Sequence, residues 1–126
     1  MLRGLLDRLV DRYLDREVIA MSNIPPEDSG VRGAVLWVNP GTVAGKKLKH
    51  GPRIKVTPFG SSTSTSCTIS KPPRFLGKKL ATSLERDVTS FILLNYELLI
   101  DFWDGKMGSK AFLNSVESLA KRGQMT

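Results

Sequence analysis

The sequence predicts an α+β domain with an N-terminal amphipathic helix, a small antiparallel three-stranded sheet, and two C-terminal helices packed on it. Three observations carry the prediction. Apolar residues recur at helical spacing in residues 1–18 and again beyond Thr82. Between them lie three short segments that are β-rich or alternate apolar with polar residues. Proline and glycine clusters punctuate the junctions. With 126 residues, 40% of them hydrophobic and 25% charged, the chain fits one globular domain whose core can form without disulfides or metals.

In MLRGLLDRLVDRYLDREV, Leu2, Leu5, Leu6, Leu9, Val10, Tyr13 and Leu14 form one apolar stripe, and arginines and aspartates occupy the other face. The expectation is a helical extension over 1–20 that docks on this domain or on a second copy, giving a possible homodimer. A membrane-surface helix is more usually basic, and no membrane partner is expected. Residues 21–32 hold Pro25, Pro26 and Gly30 and read as a linker. Met21 could equally be the first residue, which would make residues 1–20 an appendage.

The compact domain is expected over 33–123. Its strands are GAVLWVNP (33–40), RIKVTPF (53–59) and STSCTIS (64–70). In the second, Ile54 and Val56 alternate with Arg53, Lys55 and Thr57; in the third, Cys67 and Ile69 share a face. Thr82 and Glu85 have capping-box spacing. They open a helix whose apolar face runs through Leu84, Val88, Phe91, Ile92, Leu98, Leu99, Phe102 and Trp103. Trp103 is expected in the core, and Trp37 fits either core packing or base stacking. Gly105 is placed to stop that helix, and Ser109 to cap a last one bearing Phe112, Val116 and Leu119.

Charge is distributed unevenly. Residues 1–20 hold four basic and four acidic side chains, whereas residues 29–86 hold eleven lysines and arginines against Glu85 alone, a net of +10 within a chain whose total is +7. The segment KKLKHGPRIKV (46–56) concentrates five cations and the single histidine. Arg53 offers a bidentate fork and Lys46, Lys47, Lys49 and Lys55 offer point charges, a combination that suits phosphate or an acidic protein patch. A second basic run, KPPRFLGKK, adds Lys71, Arg74, Lys78 and Lys79. The bland reading of both runs is a solvated strand face and a lysine-rich turn. His50 is a candidate proton carrier, or a structural residue that hydrogen-bonds the turn at Gly51-Pro52.

Catalytic templates find little to occupy. One cysteine and one histidine do not make a zinc site, and no metal or other cofactor is expected. No GxSxG elbow surrounds a serine, and GTVAGKKLK lacks the spacing and hydroxyl of a phosphate-binding P-loop. The lone Cys67 gives no argument for an oxidising compartment. FILLNYELLI (91–100) is too short to span a bilayer, and a cytoplasmic location is expected.

The strand with Trp37, the segment HGPRIKV (50–56) and the helix NYELLIDFWDGKM (95–107) resemble a family of small uncharacterised bacterial and phage domains, sometimes encoded beside toxin–antitoxin-like genes. That family combines a His-x-Pro-[His/Arg]-aliphatic-[His/Lys]-Val strand with a C-terminal helix bearing a Leu-Leu pair and a tryptophan. The resemblance covers about residues 31–120 and implies strands first, helices last, with 1–30 as an extension. Arg53 and Lys55 stand where some members carry imidazoles, so histidine-centred or metal chemistry is not carried over.

These observations lead to a non-enzymatic basic module that engages nucleic acid or a nucleoprotein through its cationic strand and loop surface. One alternative is a small ribonuclease-like toxin using His50, Arg53 and Lys55. Another is a phage-encoded inhibitor that meets an acidic surface of a host protein.

Overall fold

The computed structural model describes residues 21–43 and 45–120; the helix expected over 1–20 and the last residues of the domain expected to end at 123 lie outside them. The α+β class holds, with a larger sheet than the three strands expected. Five antiparallel strands lie in the order β1 (Ser22–Ile24), β2 (Ala34–Val38), β5 (Arg53–Pro58), β6 (Thr65–Thr68) and β7 (Phe75–Leu76). A separate ribbon pairs β3 (Thr42–Val43) with β4 (Lys46–Lys47). The three expected strands form the centre of the sheet as β2, β5 and β6, and the short β1 and β7 extend it on either side.

Residues 21–32 are therefore not a linker, nor is 1–30 wholly an extension. Ser22, Asn23 and Ile24 pair with Val38, Trp37 and Leu36. Pro25 and Pro26 then start a single helical turn, α1 (Pro26–Ser29), where a missing N–H costs nothing. Gly30 closes the turn at φ 74°, and its amide donates to the Pro26 carbonyl. Ile24 and Val31 are fully buried, so the segment belongs to the core.

Alternation divides the sheet into two faces. Ala34, Leu36 and Val38 of β2, Ile54 and Val56 of β5, and Cys67 of β6 point inward, with no exposed surface. They form one apolar cluster with Val88, Phe91, Ile92, Leu99, Phe102 and Phe112. Burial of each such large side chain stabilises the fold by about 1.5–3 kcal/mol. The rings of Phe102 and Phe112 stack with centroids 4.3 Å apart.

The helical layer departs from expectation in three places. The long helix divides at Asn95 into α2 (Thr82–Leu94) and α3 (Tyr96–Trp103), and α4 (Ser109–Ser115) follows. Asn95 is buried. Its Nδ2 donates to the carbonyls of Phe91 and Glu117, and its Oδ1 accepts from the Glu117 amide. The side chain thus ties the helix junction to the chain beyond α4.

The expected caps do not form. Ala81 precedes α2, and Glu85 accepts from the Leu80 amide instead of completing a box with Thr82. Gly108 precedes α4, so Ser109 is its first helical residue. Gly105 does lie just past the end of α3, at φ 78°. Trp103 is only half-buried; the adjacent Phe102 takes the core position, because the inward stripe Phe91, Asn95, Leu99, Phe102 already fills the i, i+4, i+8, i+11 positions of the helical repeat.

Candidate functional site

The outward residues of the same strands build the candidate site. Strand register sets Asn23, Trp37, Lys55, Ser66 and Leu76 in one row across all five strands. Arg53 lies beside Thr68 on the same face, two residues from Lys55 along β5. Arg53 and Lys55 are half-buried opposite Ile54 and Val56, as the alternation predicts.

Trp37 sits within a polar web. Its indole Nε1–H donates to Thr57 Oγ1 at 3.1 Å, and Thr57 Oγ1 is 2.6 Å from Ser64 Oγ. The indole edge is thereby committed to the protein. The ring borders a cleft of about 220 Å³ together with Arg53, Lys55, Ser66, Met21, Asn39 and His50. Among the described residues, no carboxylate lines it.

His50 reaches this cleft because the segment after β2 is pinned to the end of α3. The Gly41 amide donates to the Trp103 carbonyl at 2.8 Å, and the Leu48 amide donates to the Gly41 carbonyl at 2.8 Å. Leu48 is buried. A Cβ on Gly41 would come within 2.6 Å of the Trp103 carbonyl oxygen and 2.9 Å of its indole, so this close approach requires glycine. The His50 ring packs at a tilt against the Trp103 ring, 5.6 Å between centroids. Its Nδ1 lies 2.9 Å from the Gly51 carbonyl; a carbonyl only accepts, so Nδ1 carries the proton in this hydrogen bond. Trp103 is thus a support for the cleft wall.

The ten site residues expected from the sequence do not form one surface. His50, Arg53 and Lys55 share the cleft. Lys46 and Lys47 stand exposed on the β3–β4 ribbon, and Lys49 is exposed next to His50. Lys71 sits over the Tyr96 ring at 4.4 Å from its centroid, on the helical side. Arg74 is exposed just before β7. Lys78 and Lys79 lie at the opposite end of the sheet, where they border a second cleft of about 450 Å³ with Arg32, Ser61 and Thr63. Strand pairing explains the separation: Asn39 and Arg53 flank the Val38–Ile54 end of the sheet, whereas Gly33 and Pro58 flank the Ala34–Pro58 end.

Sequence reasoning missed Met21, Asn39 and Ser66 as cleft residues. Ser66 was legible, because it alternates with Thr65 and Cys67. Met21 and Asn39 flank paired strands whose register no local pattern reveals.

The Cys67 thiol is pushed up to about 12 by burial and then by the negative charge of Glu85. It belongs to the inner face. No three of His, Cys, Asp and Glu gather as a metal-binding group among these residues, and no helix among them is long and apolar enough to cross a membrane.

The architecture is that of an antiparallel sheet with one face on helices and a cationic, tryptophan-bearing cleft on the other. Comparison with family models, curated proteins and solved structures finds no match to this chain.

Proposed function

We propose that the outward sheet face binds nucleic acid or a nucleoprotein without chemical transformation, with the cleft around Trp37 as its centre. The observation that carries this reading is the cleft's composition: Arg53, Lys55 and His50 beside an aromatic ring, with no carboxylate among its described lining residues. Arg53 supplies a fork that matches two phosphate oxygens, and Lys55 a point charge on a flexible stem. The ribbon lysines Lys46 and Lys47, with Lys49, add attraction from the same segment of chain. Such a surface gains affinity by releasing counterions from the phosphate backbone.

The convergence of His50, Arg53 and Lys55 on one cleft favours a second reading, a ribonuclease-like reaction. Arg53 and Lys55 would stabilise charge on the phosphate oxygens while His50 moves the proton. With a single histidine in the chain, that ring would have to take the proton and return it. Incubation of the purified protein with labelled RNA and DNA separates the readings. Retention without cleavage is the expected result; cleavage abolished by His50→Ala would establish the enzyme, and absence of both would favour an acidic protein partner.

A further inference from the structure

We infer that the nucleic acid held by this face is single-stranded, with one base stacked on Trp37 and the adjoining phosphates on Lys55 and Arg53; the inference rests on the nucleic-acid reading above.

Three features of the cleft point to a single strand. The first is the state of the indole. Because Nε1–H is already bonded to Thr57 Oγ1, a ligand entering the cleft meets the π-system of Trp37 rather than a hydrogen-bond donor. Aromatic surfaces of this kind take unpaired bases by stacking, without regard to sequence. In a duplex the faces of each base are covered by its neighbours, and exposing one costs a few kcal/mol.

The second feature is size. A concavity of about 220 Å³ has room for one nucleobase and is far too small for a double helix, whose major groove alone is about 12 Å wide. A duplex lying on the cations would leave the cleft unused.

The third feature is spacing. Trp37 and Lys55 are direct cross-strand partners, so their Cβ atoms lie about 4.5–5.5 Å apart. Arg53 follows at two residues along β5, about 7 Å further at the strand rise. A base on Trp37 therefore brings its own phosphate to Lys55 and the next one along an extended backbone to Arg53. Ser66, on the far side of Lys55 in the same row, offers a hydroxyl to sugar or base edges. The lining of the cleft combines the apolar Met21 and indole with the cationic Lys55 and Arg53. This combination matches a nucleotide, apolar at the base faces and anionic at the phosphate.

The test uses the full chain, a twelve-nucleotide oligouridylate, a duplex of equal length, and tryptophan emission at low salt. The single strand is expected to bind at least about tenfold tighter than the duplex and to quench emission. Trp37→Ala should weaken single-strand binding by about tenfold or more, the usual loss for one stacked base, with little change for the duplex. Trp37→Phe should retain most of the affinity and lose most of the quenching, which assigns the signal to residue 37 rather than to Trp103. Equal affinities for strand and duplex, with binding still lost in Arg53→Ala/Lys55→Ala, would overturn the stacking inference and leave the nucleic-acid reading standing. Binding of neither would overturn both.

Discussion

The two faces of the central strands are made from alternate residues of the same chain segments, yet they answer to different physics. On the inner face Ala34, Leu36, Val38, Ile54, Val56 and Cys67 have no exposed surface and meet a helical layer of aromatic and aliphatic side chains. On the outer face the same strands present Trp37, Arg53, Lys55, Thr57 and Ser66, half-buried and aromatic, polar or cationic. Charge also divides along the chain. Residues 29–86 carry the net +10, whereas residues 87–120, which hold most of the helical layer, carry five carboxylates against Lys106 and Lys110. Fold stability and partner recognition can therefore be changed separately by substitutions one residue apart.

The largest effect should come from the inner layer. Phe91→Ala, at a position with no exposed surface, is expected to cost about 3–5 kcal/mol, the range for truncating a buried aromatic. Chemical denaturation measures it; a cost below about 1 kcal/mol, far under that range, would mean that the helical layer contributes little to the stability of the sheet.

Asn95→Ala should follow, at about 1–3 kcal/mol, because it removes a buried side chain that bonds the Glu117 amide and carbonyl and the Phe91 carbonyl. Proteolysis near Glu117 should rise in step. An unchanged denaturation midpoint would show that water replaces the amide at no cost.

Gly41→Ala tests the link between the faces. The added methyl meets the Trp103 carbonyl and indole, and overpacking of this kind costs about 1–3 kcal/mol. It should also displace His50 and weaken oligonucleotide binding, whereas an equally destabilising substitution on α4 should leave affinity for the folded fraction unchanged.

The pH dependence sharpens the inner-face description. An unfolded Cys67 ionises around its ordinary 9.0, while the folded thiol holds its proton until about 12. The stability associated with this thiol is fully present below pH 9 and falls as pH rises from 9 toward 12, since the unfolded state then binds fewer protons. Cys67→Val should flatten the decline in that window. An equal decline in both proteins would assign it to other groups.

The parts of this division written in local pattern were legible in the sequence, and the parts made by distant pairing were not. The alternation of Arg53, Ile54, Lys55 and Val56 placed each side chain on its correct face, since a strand has a period of two. Gly105 marked a helix end because few other residues adopt its backbone conformation readily. Ser22–Ile24 was missed because three residues beside Pro25-Pro26 carry no periodic signal, and only pairing with β2 makes them a strand. The break at Asn95 leaves the apolar stripe in phase, so periodicity could not reveal it; its reason is a hydrogen-bonded clamp on Glu117, 22 residues away. Lys71, Lys78 and Lys79 looked like neighbours of the 46–56 segment because sequence records the amount of charge and not the end of the sheet that receives it.

The central claim is that Arg53 and Lys55 serve recognition and not stability, and the salt dependence of binding tests it most directly. The variant Arg53→Ala/Lys55→Ala should unfold within about 0.5 kcal/mol of the parent per substitution, as is usual for side chains outside a core. Its affinity for the oligouridylate should fall. The slope of log affinity against log salt should become shallower by up to about 1.4, or about 0.7 for each phosphate of a single strand that is no longer neutralised by the protein. Identical slopes and affinities in parent and variant would contradict the account and reduce KKLKHGPRIKV to a solvated strand face and turn.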